Sequence, residues 1–328
     1  MNFLKSITYI FITLISVYIF PQTKILFTAV DYSNGEVRAT ICDEFGNNRH
    51  DLAFNKTYLP VWFGEKILLN SDNFIWQCDT SGENLTQISL GYRASVSNNP
   101  KMAAFYTENG INIADEKGKI LKQIFVNTLN DAAITWSRND DKISYFDPEK
   151  RKCFLFNLAN DSIEVFGDSI FHPLWNPKIE LVLFNKAVSD ERYDVVVKDE
   201  RTNKFITINQ KNENAVVPIW SNDGQKIAYL AFKDNVTESD NSDLYPCRLI
   251  IYDINQKKSF VAADDAGFTD KAFPQMCFDE NDEFIYFTKV NEFGLGALAR
   301  VNLKNLVKET ISKDSYIDER FPQVRTFK

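Results

Sequence analysis

Histidine is almost missing from this sequence, with only His50 and His172 in 328 residues. A metal centre held by several imidazoles is therefore out of reach, and His172 is expected to serve a loop or cap rather than ligate or transfer protons. The five cysteines, Cys42, Cys78, Cys153, Cys247 and Cys277, include no CxxC pair, so neither a zinc ribbon nor a redox motif is written here. They read as buried small hydrophobes, with one unassigned disulfide as the alternative. No Gly-x-Ser-x-Gly elbow occurs. Gly91 and Gly110 stand alone and Gly294-Leu-Gly296 falls in a hairpin, which leaves no loop to cradle a phosphate. There is no block of basic charge either. The 37 Lys and Arg against 45 Asp and Glu, net −8, are interspersed, which argues against nucleic acid and against an anionic membrane surface.

Long apolar runs are equally scarce. The exception is Ile7 to Phe20, preceded by a single charge at Lys5. It is too short to span a bilayer comfortably and suits the apolar region of a signal peptide. Because Tyr18-Ile-Phe-Pro-Gln22 lacks the small residues of a cleavage site, an N-terminal anchor is the alternative. Residues 1–22 are thus expected to be a signal peptide or anchor, and residues 23–328 one domain that is periplasmic or secreted. No membrane span is expected in the mature chain unless the N-terminal segment is retained.

What the sequence has is aromatic side chains, 27 Phe, 13 Tyr and 5 Trp, within a composition that is 44% hydrophobic, enough for a large core. Four of the tryptophans share a context: Pro60-Val-Trp62, Ile134-Thr-Trp136-Ser, Pro173-Leu-Trp175-Asn and Pro218-Ile-Trp220-Ser. Each is followed by a polar turn and an apolar run: Lys66-Ile-Leu-Leu, Lys142-Ile-Ser-Tyr-Phe, Leu181-Val-Leu-Phe and Lys226-Ile-Ala-Tyr-Leu. That is strand, turn, strand. Three more copies are expected with Val96, Met276 and Val324 in place of Trp. Proline precedes this position by two at Pro60, Pro173, Pro218, Pro274 and Pro322, where a strand begins and no ladder donor is needed. A third strand (Phe74-Ile-Trp-Gln, Ile111-Asn-Ile-Ala, Val195-Val-Val-Lys, Leu249-Ile-Ile-Tyr) and a fourth (Lys119-Ile-Leu-Lys-Gln-Ile, Lys204-Phe-Ile-Thr-Ile) complete each unit.

A four-stranded antiparallel meander repeating every 35 to 55 residues or so is a propeller blade. The chain is predicted to be an all-β, seven-bladed β-propeller, with six or eight blades as alternatives. Lys24-Ile-Leu-Phe-Thr-Ala-Val reads as a second strand lacking its first, and Asp318-Glu-Arg-Phe-Pro-Gln-Val as a first strand lacking its second. Together they are expected to close one shared blade, tying the ring shut.

Trp220-Ser-Asn-Asp-Gly-Gln-Lys-Ile-Ala-Tyr is similar to the repeat of TolB-like periplasmic propellers, and Trp136-Ser-Arg-Asn-Asp-Asp-Lys-Ile-Ser-Tyr is a looser copy. The resemblance covers nearly all of the chain after residue 22. It implies a fold shared by many functions. TolB itself differs in carrying a separate N-terminal domain and six blades. Oligogalacturonate lyases share a seven-bladed repeat of this kind, but their metal needs more histidines than this sequence has.

Connections into the innermost strands of a propeller converge on one mouth of its channel, which nominates Tyr58, Arg93, Asp131, His172, Asn214, Asp270, Lys271, Asp318 and Arg320 as a mixed-charge rim for a partner or ligand. The insertion Asp234 to Asp243 is acidic, but its spacing matches no calcium loop, and a solvated hairpin tip is the expectation. No cofactor, metal or catalytic residue is nominated. The expected function is non-enzymatic binding of a protein or cell-envelope component. The alternative is a propeller enzyme acting on a glycan or peptide, with Tyr58 and Tyr92 stacking on sugar rings and Asp131, Asp270 and Asp318 as its acid and base.

Overall fold

A computed structural model describes residues 22–126, 133–189, 192–232, 243–270 and 274–327. The N-terminal apolar run, Asp131, Lys271 and all of the blade 5 insertion except Asp243 lie outside these described residues. No helix among the described residues is long and apolar enough to cross a membrane. The strands form seven four-stranded antiparallel meanders: residues 58–90 (blade 1), 92–125 (blade 2), 135–168 (blade 3), 170–207 (blade 4), 215–268 (blade 5), 276–310 (blade 6), and a seventh made from both ends of the chain. Blades 5 and 6 are further joined edge to edge through Ala266 and Lys289.

The seventh blade closes as the two termini imply. The strand Asp318–Phe327 pairs antiparallel with Gln22–Asp31, which pairs in turn with Glu36–Asp43 and His50–Leu52.

Stacking explains the residue pattern. Second and third strands are sandwiched between neighbouring blades, so both faces are apolar and the sequence shows runs rather than alternation. In Gln22–Asp31, the consecutive residues Ile25, Leu26, Phe27 and Thr28 are all buried. The outermost strands face water, and all four residues of Lys204–Thr207 are exposed. There is no single core. Seven buried apolar clusters each join one pair of adjacent blades, from Phe63, Ile75 and Phe105 between blades 1 and 2 to Leu26, Leu52 and Ile67 between blades 7 and 1. All five cysteines are free, four of them buried, and burial pushes Cys42, Cys78, Cys153 and Cys277 up to about 12, as inert packing groups would be.

One repeat assignment needs correcting. Val96, Trp136, Trp175 and Trp220 pair with Ala103, Ile143, Val182 and Ile227 at the start of the second strand, and in blade 6 the residue so placed is Phe278, opposite Ile285. Met276 lies two residues earlier, opposite Phe287. Pro274 therefore does not hold the recurring proline position. The extra residues before the blade 6 turn shift the apparent motif, and only ladder pairing fixes the frame.

Candidate functional site

The innermost strands carry a local irregularity that shapes the channel. Three residues before the Trp position the backbone turns left-handed, at Leu59 (φ 46°), Arg93 (55°), His172 (50°), Val217 (45°) and Phe321 (60°), and the pairing shifts by a bulge there. Such conformations are costly away from glycine and persist only when the surroundings hold them. The holder is a polar side chain at the end of the preceding blade's second strand. Asn70 Oδ1 accepts the Arg93 N–H at 2.6 Å while its Nδ2 donates to the Leu59 carbonyl at 3.0 Å. Asn185 does the same for the Val217 N–H and the Ala215 carbonyl, both at 2.8 Å. Thr28 and Thr288 hydroxyls accept the Leu59 and Phe321 N–H groups at 3.0 and 3.2 Å. These four residues are buried, and the sequence reading missed them. The available signal was a polar residue ending an otherwise apolar run, as in Lys66-Ile-Leu-Leu-Asn70.

The tryptophans are inter-blade donors. The indole N–H of Trp62 donates to the Gln323 carbonyl (3.3 Å), Trp136 to Ser95 (3.2 Å) and Trp220 to Leu174 (2.9 Å), each on the innermost strand of the preceding blade. Trp175 departs from this pattern. Its indole turns outward to Glu200 Oε1 at 3.3 Å, and the blade 3 to blade 4 contact is made instead by the Thr135 hydroxyl on the Pro173 carbonyl at 2.6 Å.

Together the seven innermost strands enclose a cavity of about 570 Å³. It extends from the turn residues Asn98, Pro177, Ser221 and Asn222, past Trp62, Trp136, Trp175 and Trp220, to Leu59, Arg93 and Phe321. Among the described lining residues Arg93 is the only charged one, and none is Asp, Glu or His.

Of the nominated rim residues, Arg93 lies in this cavity and its charge reaches two others. Burial, helped by the Arg93 guanidinium, pulls His172 down to about 4 and keeps it neutral. Burial raises the Tyr58 hydroxyl, with Arg93 opposing the rise. The remaining described residues are placed elsewhere. Asn214 accepts the Tyr193 N–H at 2.9 Å, and Asp270 sits exposed in a turn. Asp318 and Arg320 are fully and almost fully buried, in one network. Arg320 Nε donates to Asp318 Oδ1 at 2.7 Å, and its terminal nitrogens pair with Asp318 and Asp243. Tyr32 donates to Asp318 at 3.0 Å, the Gly296 N–H to Asp318 at 2.9 Å and Thr269 to Asp243 at 3.1 Å. A Cβ on Gly296 would sit 2.5 Å from Asp318 Oδ1, so glycine is what lets the backbone approach this carboxylate. The network ties blades 5, 6 and 7 together at the seam.

No protein-family model matches the sequence, and no curated protein matches it. Solved structures do. TolB from Acinetobacter baumannii superposes over 92% of this chain and 66% of its own, at 14% identity and a TM-score of 0.56, so the chain spans just under two thirds of that protein's length. An oligogalacturonate lyase in complex with manganese matches over 88% of this chain and 84% of its own (13%, TM-score 0.57). The β-propeller domain of the Trilobed protease from Pyrococcus furiosus, described as having an open velcro topology, matches over 88% and 94% (13%, TM-score 0.60). At such identities the likeness concerns the fold, and the fold is that of a TolB-like β-propeller.

Proposed function

We propose that this chain is an exported, non-enzymatic binding propeller that takes a segment of a protein or cell-envelope component into its channel. The observation carrying this reading is the chemistry of the described lining: three inter-blade tryptophans and many aliphatic groups around one arginine, with no Asp, Glu or His among the described lining residues. Aromatic and aliphatic walls interrupted by a few polar groups are what a binding pocket needs, and a volume of about 570 Å³ accommodates a few side chains. Arg93, anchored through its own backbone by Asn70, selects a segment that presents an acidic group. Of the nominated rim, Tyr58, His172, Asn214, Asp270, Asp318 and Arg320 are assigned to the strand-entry side of the ring and its support. The TolB-like fold favours the periplasm as the compartment, and the acidic charge balance speaks against nucleic acid.

A propeller enzyme acting on a glycan or peptide is the competing reading, since a lyase and a protease share the fold. General acid and base chemistry needs two positioned titratable groups, and the described lining offers none. The two readings separate by experiment. Immobilised protein is expected to capture a defined envelope protein that the Arg93→Ala variant releases. Identical captured sets for the two proteins would remove the channel from the account, and turnover of a glycan or peptide library would establish the enzyme.

A further inference from the structure

The outward turn of Trp175 opens a second cavity. Between blades 3 and 4, on the turn side, lies a cleft of about 310 Å³ lined by Phe166, Trp175, Lys198, Glu164, Glu200 and Arg138, among others. Two aromatic rings belong to its lining, Phe166 and Trp175, 6.1 Å apart and inclined at 51°. Lys198 Nζ stands 5.1 Å from the Phe166 centroid and 5.9 Å from that of Phe205. Two other lysines over phenyl rings are neutralised: Lys122, over Phe156, pairs with Asp161, and Lys150, over Phe154, pairs with Asp147. Among the described residues no carboxylate lies within ion-pair distance of Lys198. The other cleft cations are occupied, Lys142 by Glu164 at 2.7 Å and Arg138 by the Asn176 carbonyl at 2.7 Å.

We propose that this cleft binds one acidic sugar residue, its ring against Trp175 and its carboxylate on Lys198. The volume is at the small end for ligand sites and suits one ring. The Trp175 ring matches the C–H face of a pyranose, while Glu164, Glu200 and Asp141 line the cleft with acceptors for hydroxyl groups. A polyanion would be repelled by those carboxylates, and a purely apolar ligand would leave them without water. A single carboxylate reaching Lys198 satisfies the one cation among the described cleft residues that lies over an aromatic ring and has no ion pair. Trp175 can adopt this role because Thr135 already makes the inter-blade bond that its indole would otherwise supply.

The site does not rest on the channel reading, and Lys198 lines only the cleft. Ligand-detected NMR titration of the whole chain with methyl β-D-glucuronide and methyl β-D-glucoside tests it. The glucuronide is expected to bind about tenfold more tightly than the glucoside, an advantage lost in Lys198→Gln and reduced by added salt. Lys198→Arg is expected to stay within about threefold of the parent, since it keeps the charge. No glucuronide binding, equal affinity for both sugars, or undiminished preference in a folded Lys198→Gln variant would each overturn the proposal. Should that variant not fold, the salt dependence in the parent chain decides: a glucuronide preference indifferent to salt overturns it as well.

Discussion

At the scale of single residues, the buried polar groups carry more of the structure than their number suggests. Asn185 satisfies a donor and an acceptor on the next blade at once, and Asn185→Ala would strand both the Val217 N–H and the Ala215 carbonyl. A loss of about 2 to 4 kcal/mol is expected in urea unfolding, well beyond the cost of an exposed asparagine. His172 makes a pH prediction with a definite sign. Its folded pKa, about 4, lies below the ordinary value of 6.5, so the unfolded chain takes up the proton first. The neutral ring's contribution is complete above pH 6.5 and is lost as pH falls from there toward 4. The drop in unfolding midpoint between pH 7.5 and pH 4.5 is expected to be smaller in His172→Gln; an equal drop would show that the ring titrates normally.

Between elements, the tryptophans divide into two kinds that the sequence writes identically. Trp220 bonds to Leu174 of the neighbouring blade, whereas Trp175 reaches the exposed Glu200 of its own. Replacing each with Phe keeps an aromatic ring and removes the N–H. Trp220→Phe is expected to lower stability by about 1 kcal/mol through a carbonyl left without its donor at a blade interface, and Trp175→Phe by clearly less. Equal losses would mean that the indole bonds do not join the blades. Turns on the same side add further clasps. The Asn98 side chain and N–H bond Asp140 at 2.8 Å between blades 2 and 3, and Asn222 makes the matching pair with Asp282 between blades 5 and 6. Adjacent blades are thus fastened by inner strand, turn and apolar wedge together.

For the molecule as a whole, stability depends on the seam, because blades that contact only their neighbours hold as a ring or lose their end contacts. The buried Arg320 network is the polar part of that seam. Arg320→Met would leave Asp318 and Asp243 facing each other without a cation, and a loss of about 3 to 5 kcal/mol is expected. Denaturant unfolding followed by circular dichroism reads it, and a loss under 1 kcal/mol or so would place the seam's strength in the strand pairing alone. The ring also explains the channel's position: seven inner strands leave an axial space that no side chain from a single blade can fill.

Strand order, the meander and closure by the two chain ends were legible because they depend on local patterns: an apolar run for a strand buried on both faces, a polar turn, and a recurring Trp. Counting such units needs no knowledge of contacts. The blade 6 frame was misread because Met276 and Phe278 are interchangeable as apolar residues, and only pairing with Ile285 separates them. Arg93 and His172 were nominated from their place in the repeat, yet that place could not reveal that Arg93 alone of the two lines the axial cavity. Nor could it show that Asp318 and Arg320 are buried against Asp243 and Tyr32, or that Trp175 turns outward. Those outcomes come from side chains far apart in the chain competing for the same space and the same hydrogen bonds, which is settled only when the ring closes and the blades are packed against one another.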